Sequence, residues 1–157
     1  MFTEMSDVII HHKATLDKYI GDCVMAFWGA PKPTPDDAYN AVSCAMEMQE
    51  VCDRLSKNLS KDDVPFRLRI GINQGLSIAG YIGSHERMDY SVIGDAVNTA
   101  SRIESSGIPG KVAISELTFK SAGGEKYIKY SETKEITVKG KSEPLKIYIV
   151  DKILKKT

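Results

Sequence analysis

The stretch LDKYIGDCVMAFWGAP, residues 16–31, sets two apolar runs on either side of a Gly-Asp pair. Gly-Asp suits a tight turn between strands, so the spacing predicts a hairpin with arms at 14–19 and 23–28. Lys18 stands four residues before Asp22. A fixed cation and a carboxylate therefore sit at the edge of a strongly hydrophobic strand pair, a placement that turn chemistry alone does not require.

Working outward, Phe2, Met5, Val8 and Ile9 recur at helical spacing with no capping residue before them, so the chain reads as entering a helix partway along. After the hairpin, Pro31, Pro33 and Pro35 make a rigid connector, and Asp36 or Asp37 falls in the first turn of the next helix. Ala38, Ala41, Val42, Ala45, Met48, Val51 and Leu55 line one face of that helix to about residue 57. The alternation of FRLRIGINQG predicts a strand at 66–73, with 77–83 as its hairpin partner. MDYSVIG reads as a strand running into the helix DAVNTASRIESSG, with Asp95 as N-cap and Gly107 as stop. KVAIS, ELTFKSA, KYIKY, KEITVKG and LKIYIVD continue as short strand, short helix and strands. The expected class is α+β, an antiparallel-rich sheet with helices on one face.

At 157 residues the chain is long enough for one cored domain, expected over 1–157 with a tail at 151–157. Its 21 basic and 21 acidic residues cancel, which argues against a nucleic-acid or membrane partner recruited by bulk charge. Cys23, Cys44 and Cys52 are odd in number and lack any Cys-x-x-Cys spacing, so they read as reduced, buried thiols of a cytoplasmic protein. No apolar run is long enough to span a bilayer.

Asn98 and Arg102 lie four apart on the helix after MDYSVIG and share a face. Asn offers a neutral donor and acceptor, and Arg a planar cationic fork suited to phosphate. Taken alone, the pair reads as a solvated helix face rather than a site. Together with DKYIGDCVMAFWGAP, RIGINQG, IGSHERMDYSVIGDAVNTASRIE and VKGK in this order, it resembles the catalytic domain of class III nucleotidyl cyclases, from residue 2 to about 150.

The resemblance implies a ferredoxin-like sheet and an adenylate cyclase converting ATP to cyclic AMP and pyrophosphate. Asp22 matches one of two metal-binding aspartates that hold paired Mg²⁺ or Mn²⁺ ions about 4 Å apart. Lys18 matches the purine-reading position, where an ammonium suits the N1 acceptor of adenine and the guanylyl branch carries Glu instead. Ser91 matches its partner position and would accept from the adenine amino group. Asn98 and Arg102 match the pair that orients the ribose and balances charge at the α-phosphate, and Lys139 of VKGK the terminal-phosphate lysine. Arg69 matches a further phosphate-contacting arginine. Asp95, in a second Ile-Gly-Asp, is expected to cap its helix and take no part in the site.

In the family the metal aspartates come from one subunit and the remaining groups from its partner, which implies a homodimer. The family's first metal aspartate lies in a strand of the form Phe-x-Asp-Ile-x-Gly-Phe-Thr, which none of the 21 residues before Asp22 contains. The expectation is a cyclase domain without its first strand, weak or inactive as it stands, pairing in the usual way or by a rearranged, strand-exchanged dimer. A non-catalytic nucleotide-binding or dimerisation module is the alternative. An RNA-binding sheet lacks the exposed basic and aromatic pattern it would need.

Overall fold

A computed structural model describes all residues from Met1 to Thr157. In chain order the elements are α1 (Phe2–His11), β1 (Thr15–Ile20), β2 (Cys23–Phe27), α2 (Asp37–Lys57), β3 (Ile70–Ile72), β4 (Ile78–Ser84), β5 (Arg87–Ile93), α3 (Asp95–Ser106), β6 (Val112–Ser115), α4 (Glu116–Ser121), β7 (Ile128–Ile136) and β8 (Leu145–Ile153). A single 3₁₀ turn at Gly124–Lys126 leads into β7.

The central sheet has the order β3-β6-β8-β7. β7 and β6 flank β8 in antiparallel pairs, and β3 joins β6 in parallel. Alternate residues of β6 and β8 face two different cores. Val112, Ile114, Tyr148 and Val150 pack with Val42 and Ala45 of α2 and Phe119 of α4. Ala113, Ile147 and Ile149 pack with Ile103 of α3. Both faces being covered explains why VAIS and IYIV are apolar without alternation. The α+β class stands, but the helices, expected on one face, cover both: α2 and α4 lie on one side of this sheet and α3 on the other.

A third core cluster joins α1 to α2 through Met5, Val8, Ile9, Cys44, Met48 and Cys52, with Val24, Ala26 and Trp28 packed against it. The Trp28 indole N–H donates to the His12 carbonyl at 2.8 Å and ties the hairpin's end to α1.

Two features of the RIGINQG region depart from expectation. The strand is three residues long rather than eight, and it pairs with β6, whereas 78–84 pairs with 87–93. Upstream of β3 the Leu68 carbonyl accepts from the Gly110 amide at 2.6 Å and from the buried Gln49 side chain at 3.0 Å. Those polar groups are satisfied without a ladder, so no strand is needed there. Gly71 carries the other constraint. A Cβ at this position would lie 2.3 Å from the Glu104 nitrogen and 2.7 Å from the Ala100 carbonyl oxygen. Only a residue without a side chain lets α3 lie this close on β3.

The expected tail is also structured. β8 continues to Ile153, the Leu154 amide donates to Tyr127 O at 2.7 Å, and the Lys156 ammonium pairs with Asp36 over the Tyr39 ring.

Candidate active site

Gly21 adopts φ 61°, the left-handed conformation the β1–β2 turn needs, and Asp22 beside it is exposed. Cys23, next to the turn, is exposed, unlike the buried Cys44 and Cys52 and contrary to expectation; its thiol lies 3.9 Å from the Asp22 carboxylate, and partial desolvation together with that charge raises the thiol pKa. No group of three or more His, Cys, Asp or Glu side chains is gathered so as to hold a cation. Asp22 thus stands as a lone carboxylate, and the donor set of these 157 residues does not fit a paired-ion centre.

Lys18 lies on β1 with its side chain half exposed, and its Nζ is 3.7 Å from Asp17 Oδ1. The β1–β2 register passes from Leu16↔Ala26 to Lys18↔Met25, so Asp17 occupies a bulge. Ser91, opposite Gly80 in the β4–β5 ladder, is buried, and its hydroxyl donates to Asp17 Oδ2 at 2.8 Å. Lys18 and Ser91, 73 positions apart, therefore converge on one carboxylate that sequence reasoning passed over.

The third constellation lies on α3. Thr99 and Ile103 face inward, leaving Asn98 and Arg102 exposed one turn apart. They line a groove of about 370 Å³ with Asp95, Ser101, Ser105 and Lys139. Three residues named from the sequence, Asn98, Arg102 and Lys139, thus share one depression. The Asn73 side chain fixes the start of α3 by donating to Ala96 O at 3.1 Å.

Asp95 is not the cap. Gly94 is the N-cap, and Asp95 is the first helical residue, making no capping hydrogen bond. Its carboxylate instead accepts from Lys141 Nζ at 2.7 Å. That ion pair latches the VKGK loop to the head of α3 and brings Lys139 over the groove. Its partners lie 46 residues apart, beyond the reach of a capping argument made from local sequence.

Arg69 lies outside this groove. Its Nε donates to Glu104 Oε1 at 2.7 Å, toward the far end of α3. A larger depression of about 460 Å³ between α2 and the 65–67 segment holds none of the residues named from the sequence.

An α+β sheet that presents an Asn, an Arg and a Lys over one groove, with a lone carboxylate at a hairpin turn, has the form of a phosphate-handling catalytic domain. Residues 1–152 match the family described as Adenylate and Guanylate cyclase catalytic domain, and the chain belongs to that family. It is 31% identical over 150 residues to Adenylate cyclase 1 of Rhizobium meliloti, covering 95% of this chain and 23% of that protein. Among solved structures, the guanylyl cyclase Cya2 superposes with a TM-score of 0.90 at 35% identity, over 97% of this chain and 77% of that one. The adenylyl cyclase CyaB from P. aeruginosa gives 0.88 at 36% identity, over 96% and 78%. The chain spans about a quarter of the length of the curated relatives it matches. Similar structures thus carry both adenylyl and guanylyl names.

Proposed function

We propose that the chain is the catalytic domain of an adenylate cyclase, converting ATP to cyclic AMP and pyrophosphate at a site shared between two copies. The observation that carries this reading is the groove gathering Asn98, Arg102 and Lys139. It supplies two fixed cations and a neutral hydrogen-bonding group in a chain of zero net charge. In the reaction the ribose 3′-hydroxyl gives up its proton to solvent as O3′ forms a bond to the α-phosphorus, the bond from that phosphorus to the α,β-bridging oxygen breaks, and pyrophosphate leaves. Arg102 balances charge developing at the α-phosphate, Asn98 holds the ribose, and Lys139 receives the terminal phosphate. Lys18 donates to adenine N1, which guanine, bearing a hydrogen there, cannot accept. Arg69 reaches phosphate only by exchanging its Glu104 partner.

Family members use divalent ions, and Asp22 is the residue of this chain that would take part in holding Mg²⁺ or Mn²⁺. When bound, such ions neutralise the triphosphate and activate the attacking hydroxyl. Asp22 stands alone, so these 157 residues by themselves do not complete a paired-ion site. The same observation favours a second reading, a nucleotide-binding or dimerisation module without turnover.

Pairing of copies is supported by the β4–β5 hairpin, where Ile78, Tyr81, Met88 and Ile93 are 70%, 71%, 56% and 51% exposed. By the ladder register Ile78 and Ile93 share one face of the hairpin and Tyr81 and Met88 the other, so both faces offer exposed apolar side chains to a second copy. β3, bonded on one side only, adds an open strand edge, so a strand-exchanged pair is a further form of the dimer.

The test is cyclic nucleotide production from ATP and GTP with Mg²⁺ or Mn²⁺, by the 157-residue chain and by a form extended upstream with a second metal-binding aspartate. The expected result is near-background turnover by the short form and cyclic AMP from the extended form. In the latter, Asp22→Ala abolishes activity and Arg102→Ala lowers it by about 10²–10³. Equal use of GTP overturns the ATP assignment, and Asp22-dependent turnover by the short form overturns the ion count.

A further inference from the structure

We infer that Asp17 is a positioning residue for purine selection, holding the Ser91 hydroxyl so that it can only accept a hydrogen bond from the nucleotide base. The inference rests on the ATP reading above and names the residue that enforces it.

Asp17 is out of place by every local rule. Its side chain is 0% exposed although it is a carboxylate, while the lysine next to it on the strand is half exposed. Oδ1 is buried without a hydrogen-bond partner. Removing a carboxylate from water is costly, and a well-packed apolar residue would serve stability better. The bulge at Asp17 is what brings it here. In a regular strand residues 17 and 18 would point to opposite faces, whereas the irregular register leaves Lys18 Nζ 3.7 Å from Asp17 Oδ1.

The consequence falls on Ser91. A serine hydroxyl has one proton to donate and two lone pairs. Ser91 is 3% exposed and gives its proton to Asp17 Oδ2 at 2.8 Å. Only acceptor capacity remains for a base brought against it. The 6-amino group of adenine is a donor and satisfies that requirement. The 6-oxo group of guanine or hypoxanthine is an acceptor and faces a second acceptor. Serine on its own would tolerate either base, and the discrimination arises because Asp17 has taken the proton.

The experiment compares kcat/KM for ATP and inosine 5′-triphosphate, which carries the 6-oxo group, in the upstream-extended form with Mg²⁺. The native protein is expected to favour ATP, with this contact accounting for about tenfold of the preference. Asp17→Asn presents an amide that can donate to Ser91 and free the hydroxyl proton, so the ratio should fall about tenfold, chiefly through improved use of inosine triphosphate. Ser91→Ala should lower the ratio without that gain. A carboxylate needed only for folding would lower both substrates alike. An unchanged ratio in folded Asp17→Asn overturns the inference while leaving the ATP reading intact. Absence of any ATP preference in the native protein overturns the ATP reading first. If Asp17→Asn does not fold, Ser91→Ala decides alone, because an unchanged ratio there removes the contact on which the inference depends.

Discussion

Replacing Gly71 with alanine should damage catalysis far more than its size suggests. The added Cβ would stand 2.3 Å from the Glu104 nitrogen, while ordinary contact begins at 3.4 Å, so α3 and β3 must separate by about 1 Å. Both opposing atoms are backbone, so no rotamer change can relieve the clash. Overpacking of this kind costs about 1–3 kcal/mol. For a domain of this size that lowers Tm by roughly 2–10 °C. The larger effect is on chemistry. α3 carries Asn98 and Arg102, and a displacement near 1 Å at a reacting centre costs about 10²-fold in rate. Circular dichroism melts and cyclic AMP assays on the upstream-extended protein would measure both quantities. A Gly71→Ala protein with native turnover and unchanged Tm would refute the claim that this close approach positions the α3 residues.

Three further outcomes are expected. Asp95→Asn removes the Lys141 latch, a largely exposed ion pair, so Tm should change by no more than about 2 °C while KM for ATP rises severalfold; a large fall in Tm with unchanged KM would make the pair purely structural. Lys18→Glu should weaken ATP use without creating GTP use, because Ser91 keeps its orientation, and efficient cyclic GMP formation by this single variant would contradict that. Burial, with a smaller contribution from Glu47, pushes the Cys44 thiol from 9.0 up to about 12. The folded state therefore holds that proton more tightly than the unfolded state, and the associated stability is full below pH 9 and is lost as pH rises toward 12. Cys44→Ala should flatten the fall of Tm over that range, and an unchanged profile would refute the assignment.

The β1–β2 hairpin and α2 were legible because their determinants are local: a Gly-Asp turn between apolar runs, and apolar residues at helical spacing over 21 residues. The α3 pair was legible for the same reason, since residues four apart share a face wherever the helix lies. The partner of β3 was not. Alternation marks a strand without saying which strand lies beside it, and proximity in sequence favoured 77–83 over Val112–Ile114. Asp95 was read as a cap because an Asp opening a helix normally is one, while its actual partner, Lys141, is supplied by the VKGK loop. Asp17 was invisible because only the bulge turns it inward, and a bulge leaves no mark in the pattern of apolar residues. The misreadings share a cause: each depended on contacts between distant parts of the chain.

The β4–β5 hairpin forms a sheet of its own, joined to the body chiefly along β5, through the Ser91–Asp17 hydrogen bond and the Tyr90 ring 6.1 Å from Phe27. A segment with so little buried surface opens on its own, at a free energy well below that of the whole domain. Its amides should exchange with solvent while those of β6 and β8 stay protected. Association of a second copy would quench that opening and draw on part of the contact energy to do so. The monomer would then hold Ser91 only part of the time, and the base-reading contact would become fixed in the same event that completes the shared site.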